Sequence, residues 1–288
     1  MTVVERVGAA TSRLVAAGLP PDVAALDAEV LARHVLGWDR AAYLCGRRDA
    51  APRGFGTAYD AALDRRAGRE PVAAIVGRRE FWGLELEVGP SVLTPRPETE
   101  LLVEEALRLV RGPRAAPLLA DVCTGSGCVA IALATELPRA RIIATDVSAA
   151  ALAVARRNAA RHGVDTRIAW VRTSCLDGVG AAPDVIVANP PYVADDDIAG
   201  LPPEVRDFEP RLALAGGRDG LDVVRRLLDA AARQLAPGGH LALELGSGQA
   251  PAVRGAVAVL PQLALVRVRR DLQGFARTLV VRRRAARA

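Results

Sequence analysis

Val185-Ile186-Val187-Ala188-Asn189-Pro190-Pro191-Tyr192 is the stretch from which the fold can be read. Its four apolar residues form a buried-strand pattern, and the Asn-Pro-Pro that follows continues neither strand nor helix. Proline fixes its own φ, lacks an N–H, and biases the residue before it toward extended geometry. Asn189 is therefore expected at the C-terminal edge of a sheet, where open α/β folds place their ligands. Its side-chain oxygen and the main-chain carbonyl of Pro190 make two acceptors in a fixed fork. That fork suits a planar NH2 group, an amide or an aromatic amine, with Tyr192 available to stack on its flat face.

Outward from this point, strands and helices alternate from residue 98 onward. Apolar runs predict strands at 118–122, 142–145, 168–171, 185–188, 240–245, 263–268 and 279–282. Most are separated by helical patterns, the longest over 221–235 before the Pro237-Gly238-Gly239 stop. Interleaved strands and helices imply a parallel sheet covered on both faces. The link at 271–276 is too short for a parallel crossover, so the last two strands should pair antiparallel.

Upstream, residues 3–77 show helical spacing alone, with Leu26, Val30, Leu31 and Leu36 on one face and Asp22 as a candidate N-cap. Between 78 and 97 the period changes to alternation (Phe81, Leu84, Leu86, Val88), and Val92-Leu93 follow a Gly89-Pro90 turn. The expected plan is α/β: a helical substrate-recognition domain over 1–77, a β-hairpin linker over 78–97 and a catalytic domain over 98–288.

Composition narrows the class. The chain has 288 residues and is 51% hydrophobic but only 3% aromatic, so its core is built from Ala, Val and Leu. A net charge of +5, partly from Arg282, Arg283, Arg284 and Arg287, permits a nucleic-acid partner without requiring one. Cys45, Cys123, Cys128 and Cys175 form no Cys-x-x-Cys pair, and His34, His162 and His240 are scattered, so neither a metal site nor a disulfide framework is expected. The N-terminus lacks a signal-peptide pattern and no apolar run approaches a membrane span, which points to the cytoplasm.

Asp121-Val122-Cys123-Thr124-Gly125-Ser126-Gly127 follows the first strand of the sheet and opens a helix. Glycines here allow a tight turn and close approach of backbone to ligand. Asp146 ends the next strand, placed for a carboxylate to accept from ribose hydroxyls. Together these predict a nucleoside-bearing cofactor. Plainer readings stay open: Asp146 as a helix cap, Phe81 and Trp82 as hairpin packing, Cys123 and Cys128 as small packing residues, and Arg96 with Glu100 as an ion pair.

The Gly-rich turn, the acidic strand end and Asn-Pro-Pro-Tyr together resemble class I S-adenosylmethionine-dependent methyltransferases that alkylate planar nitrogens. Phe81-Trp82-Gly83-Leu84, Leu93-Thr94-Pro95-Arg96-Pro97-Glu98-Thr99-Glu100 and Phe208-Glu209-Pro210 narrow the resemblance, over nearly the whole chain, to the release factor glutamine methyltransferase (PrmC/HemK) family. That resemblance implies methyl transfer to the side-chain amide nitrogen of the glutamine in the Gly-Gly-Gln loop of class 1 peptide release factors, modulating translation termination, with S-adenosylhomocysteine as product. It implies that Cys123, Thr124, Gly125, Ser126 and Gly127 underlie the cofactor and Asp146 holds its ribose. It further implies that Ser174, between Thr173 and Cys175, flanks adenine, that Phe81 borders the cofactor, and that Asn189, Pro190, Pro191 and Tyr192 hold the substrate amide. A monomer without stable nucleic-acid or membrane binding is expected.

Two positions depart from the family pattern. Cys123 stands where the first glycine of the turn is usual, which should be tolerable only if φ there is not positive. The adenine segment offers hydroxyls where an acidic residue is usual. Alternatives to the main reading are a protein-glutamine methyltransferase with another client, a nucleic-acid adenine methyltransferase acting on a flipped base, and a non-catalytic scaffold of the same fold.

Overall fold

The computed structural model describes residues 1–110 and 116–285, so Arg287 lies outside the described residues. They fall into two units, Met1–Arg78 with Pro202–Phe208, and Arg79–Leu201 with Glu209–Ala288.

The first unit holds helices Val3–Ala16, Pro21–Leu36, Arg40–Gly46, Phe55–Ala67 and Val72–Val76. Thr2 starts the first of them with a reciprocal cap, its hydroxyl accepting from Glu5 N while the Glu5 carboxylate accepts from Thr2 N. Val3, Val7, Ala10 and Leu14 then recur on one buried face. In the second helix the buried face is Ala24, Ala28, Leu31 and Ala32, whereas Leu26 is 62% exposed. Small alanines, rather than the leucines the sequence pattern favoured, let this helix approach its neighbours closely. Pro20 occupies the N-cap and Asp22 sits in the first turn, where its charge complements the helix dipole. The Tyr59 hydroxyl donates to the Ala28 carbonyl at 2.8 Å. Arg66, almost fully buried, donates to Asp27 at 2.6 Å and to Glu204 at 3.2 Å, and Arg69 also pairs with Glu204. These bonds secure the Pro202–Phe208 segment within the helical unit.

The second unit opens with strands β1 (Arg78–Phe81) and β2 (Leu84–Glu87). Trp82 and Gly83 between them have φ of 55° and 70°, the positive pair of a type I′ hairpin turn. The sequence placed the turn at Gly89-Pro90; instead β2 ends at Glu87 and Val92-Leu93 lie in a loop. Phe81 and Leu86 are buried in the core of this unit beside Leu102 and Ile131.

The large sheet contains β3 (Leu118–Val122), β4 (Arg141–Asp146), β5 (Ile168–Arg172), β6 (Val185–Ala188), β7 (His240–Glu244), β8 (Leu263–Arg270) and β9 (Ala276–Arg283). Their order is β5-β4-β3-β6-β7-β9-β8. Strands β3 to β7 run parallel, and β9 is antiparallel to both β7 and β8. This is the α/β seven-strand arrangement expected from the alternation. Arg282 and Arg283 belong to β9 rather than to a free tail. Period-two alternation divides the buried side chains between two cores, with Leu119, Val185 and Val187 in one and Ala120, Ile186 and Ala188 in the other. The chain passes from β3 to β4 on one side and later to β6 on the other, so the switch point lies between β3 and β6. Among the described residues no helix is long and apolar enough to cross a membrane.

Candidate functional site

Asp146 and Glu244 are the last residues of β4 and β7, Asp121 is next to last in β3, and Asn189 follows β6. Four polar side chains thus gather at the C-terminal edge of adjacent strands.

The turn after β3 is built from its own hydrogen bonds. Thr124 Oγ1 donates to Asp121 Oδ2 at 2.6 Å, and the Ala130 N–H donates to the same oxygen at 3.1 Å. Gly125 N donates to Asp146 Oδ2 at 3.0 Å, while Ser148 N donates to Asp146 Oδ1 at 2.9 Å. Asp146 therefore joins the turn to the start of helix Ala149–Arg161, whose N-cap is Ser148. Gly127, at φ 81°, begins helix Cys128–Glu136, and a Cβ there would lie 3.0 Å from that of Ala155. Gly125, at φ 55°, has nothing within 4 Å of such an atom.

Cys123 has φ of 61°. The condition under which a non-glycine residue should be tolerated there is not met; the position is left-handed, and the cysteine adopts it at a cost of about 1–2 kcal/mol. Burial pushes its thiol well above the ordinary range, so it is not a nucleophile.

A cavity of about 430 Å³ opens over this edge, a size suited to a small-molecule or cofactor site. Cys123, Thr124, Gly125, Ser126 and Asp146 line it, as do Ser174 and Asn189. Pro191 lines it too, but Pro190, Tyr192, Gly127 and Phe81 do not. Gly127 is turned into helix packing, and Phe81, 1% exposed, is a core residue at the end of β1. The Tyr192 carbonyl accepts from Gln249 Nε2 at 2.9 Å, and burial pushes its phenol up to about 12. At the far end Arg226 Nη1 donates to Ser174 Oγ at 3.3 Å, and Val147, Leu212 and Val223 add apolar wall.

On the other side of Asn189 lies the short helical turn Pro97–Thr99. Asn189 Nδ2 donates to Thr99 Oγ1 at 3.2 Å. Arg96 and Glu100 do not pair with each other: Arg96 binds Glu209, and Glu100 accepts from the Trp82 N–H. Burial raises Asp146, opposed by the backbone N–H groups of Ser148 and Gly125, and raises Asp121 to about 7 against the bonds from Thr124 and Ala130. Burial likewise lifts Glu244 to about 7, opposed by a hydrogen bond with Thr99.

Thr99, Asp121, Arg226 and Glu244 are site residues that sequence reasoning passed over. An acidic residue inside an otherwise apolar strand was the available signal for Asp121 and Glu244.

Comparison with known proteins gives two family matches, the PrmC N-terminal domain over residues 7–77 and the methyltransferase small domain over residues 98–200. A release factor glutamine methyltransferase of Cereibacter sphaeroides is 44% identical over 286 residues, covering 99% of this chain and 100% of that one. One from Deinococcus radiodurans is 42% identical, covering 95% and 96% respectively. A methyltransferase structure from Pyrococcus furiosus superposes with a TM-score of 0.53 at 19% identity, over 78% of this chain and 98% of that one, a likeness of fold.

Proposed function

The chain belongs to the release factor glutamine methyltransferase family, and on that premise we propose that it transfers a methyl group from S-adenosylmethionine to the glutamine side-chain amide nitrogen in the Gly-Gly-Gln loop of class 1 release factors. Asn189 carries this reading: it lines the cavity at the end of β6, its NH2 end is committed to Thr99, and its carbonyl end is left for a ligand.

The residues present fit the cofactor. Asp146 offers carboxylate lone pairs beside the open floor at Gly125, and Val147, Leu212 and Val223 supply an apolar end for a base. S-adenosylmethionine, when bound, supplies a methyl group already activated on a sulfonium. Cys123 to Ser126 would lie under its methionine and ribose, Asp146 would hold the ribose, and Ser174 with Arg226 would border adenine.

A carboxamide nitrogen is a poor nucleophile because its lone pair is delocalised. Asn189 Oδ1 and the Pro190 carbonyl each accept one N–H of the substrate amide, fixing its plane and favouring positive charge on the nitrogen as it reacts. Proximity and preorganised acceptors supply most of the acceleration. Tyr192 contributes by packing behind this fork, since its burial keeps the phenol neutral. We assign recognition of the protein client to the helical unit, act of transfer to the sheet unit, and place the reaction in the cytoplasm with the protein acting as a monomer.

The test is transfer of labelled methyl from S-adenosylmethionine to an intact release factor, to its Gly-Gly-Ala loop variant, to ribosomal proteins and to DNA or RNA. Label on the intact release factor alone is the expected result. Label on nucleic acid or another protein, with none on the release factor, would overturn the assignment.

A further inference from the structure

An asparagine amide has two ends of similar shape and opposite polarity. With Oδ1 toward the substrate it accepts an N–H; rotated by half a turn it sets donor against donor. Nothing in the Asn-Pro-Pro-Tyr stretch itself decides between the two.

The surroundings do. Thr99, 2% exposed, accepts from Asn189 Nδ2 through its Oγ1. A hydroxyl has a single proton to donate, and that of Thr99 is engaged with the Glu244 carboxyl on β7. An ionised carboxylate only accepts, so the Thr99 proton points to Glu244 and Thr99 can only accept from Asn189. The amide must then turn its NH2 toward Thr99 and Oδ1 away from it. No water reaches this chain of groups to substitute for a member, because Glu244 is also 2% exposed.

We propose that Thr99 and Glu244 are positioning residues whose hydrogen-bond relay sets the flip of the Asn189 amide and so presents Oδ1 to the substrate. The inference rests on the reading of Asn189 given above and deepens it. A purely structural role for Glu244 fits the site poorly. Its Oε2 is buried without a hydrogen-bond partner, as is Oγ1 of Thr278, the residue opposite it in the β7–β9 register. A buried carboxyl with an orphan oxygen costs the fold stability.

The relay reverses when Glu244 takes up a proton. The acid becomes a donor to Thr99, whose own proton is freed to turn toward Asn189, and the amide loses its preferred flip. The charged and titratable groups around Glu244 are Arg277 from β9, Arg96 and Glu98 from the segment leading to Thr99, and Tyr192 beyond β6. The arginines favour ionisation and Glu98 opposes it. Turnover should therefore fall as pH drops through the range near 7, where Glu244 titrates.

Three variants of the full chain test this, assayed with the release factor, with S-adenosylhomocysteine affinity measured by calorimetry as a check of folding. Thr99→Val should lower kcat by about 10- to 100-fold and leave that affinity within about threefold; Thr99→Ser, which keeps the hydroxyl, should restore most of the loss. Glu244→Gln keeps an acceptor for the Thr99 proton but cannot titrate, so the acid limb of the kcat profile should disappear. Wild-type turnover in Thr99→Val, or an unchanged acid limb in Glu244→Gln, would overturn the relay, and the second readout stands even if the first variant does not fold. Asn189→Ala separates the two levels: if it is inactive while Thr99→Val is not, the relay alone fails; if it is fully active, the role of Asn189 fails with it.

Discussion

Arg96 Nη2 lies 2.6 Å from Glu209 Oε2, and the Thr94 N–H donates to the other oxygen of the same carboxylate at 3.2 Å. Two motifs 113 residues apart in sequence, Leu93-Thr94-Pro95-Arg96 and Phe208-Glu209-Pro210, are thereby joined at one side chain. The joined loops supply Leu93, Pro95, Arg96 and Pro210 to the cavity wall. Glu209 is 8% exposed, and burial raises its carboxyl even against the attraction of Arg96.

Glu209→Ala should release both loops at once. With Arg96 about a third exposed, the loss is expected at about 1–2 kcal/mol, less than for a fully buried pair. Thermal unfolding should show a lower Tm, and calorimetry an affinity for S-adenosylhomocysteine reduced about tenfold. Unchanged values in both would mean that the carboxylate does not organise the wall.

Asn189→Ala removes one acceptor of the proposed fork while leaving β6 and its prolines in place. Turnover of the bound complex should fall by at least about 100-fold, with cofactor affinity nearly intact. Single-turnover kinetics beside equilibrium binding distinguish the two, and a collapse of affinity without loss of single-turnover rate would contradict the assigned role.

Gly125→Ala and Gly127→Ala should fail differently. Both carry a positive φ, which costs about 1–2 kcal/mol for any side chain. At Gly127 the new Cβ also meets Ala155 and Ile131 at 3.0 and 3.1 Å, adding about 1–3 kcal/mol of overpacking. Gly125 has open space but lines the cavity, so its variant should lose ligand affinity more than stability. Denaturant melts and calorimetry read the two effects separately; equal loss of stability in both would contradict the packing argument.

Asp121 and Glu244 both have folded-state values raised to about 7, from 3.8 and 4.5. A raised carboxylate binds its proton more tightly folded than unfolded, so its stabilisation is full below the unfolded value and is lost as pH climbs through the folded one. Between about pH 4.5 and 7 each group should lower stability by up to ~1.4 kcal/mol per pH unit. Urea melts across that range should show the slope, and Asp121→Asn should reduce it. A wild-type stability that rises steadily from pH 5 to 7 would count against burial as the cause.

Much of the catalytic unit was legible because its signals are local. An apolar run ending in Asn189-Pro190-Pro191 admits one reading, and the short 271–276 link forced β9 to run antiparallel. What stayed hidden depends on neighbours distant in sequence. Thr99 and Glu244 matter through each other and through Asn189, 90 residues from Thr99. Asn158 is another such case: it donates to the carbonyls of Glu87 and Ser126 and accepts from Glu87 N, tying the hairpin to the Gly-rich turn. Phe81 illustrates the reverse error. Its position beside a family-typical motif suggested ligand contact, while alternation along β1 had already assigned it to the interior.

Because Pro202–Phe208 belongs to the helical unit, that unit is encoded by two separate stretches of gene. A chimaera that borrows only residues 1–78 from a relative would set Arg66 and Arg69 of one lineage against Glu204 of another. Exchange of client preference between relatives should therefore succeed when the seven-residue insert travels with the N-terminal piece, and misfit when it is left behind.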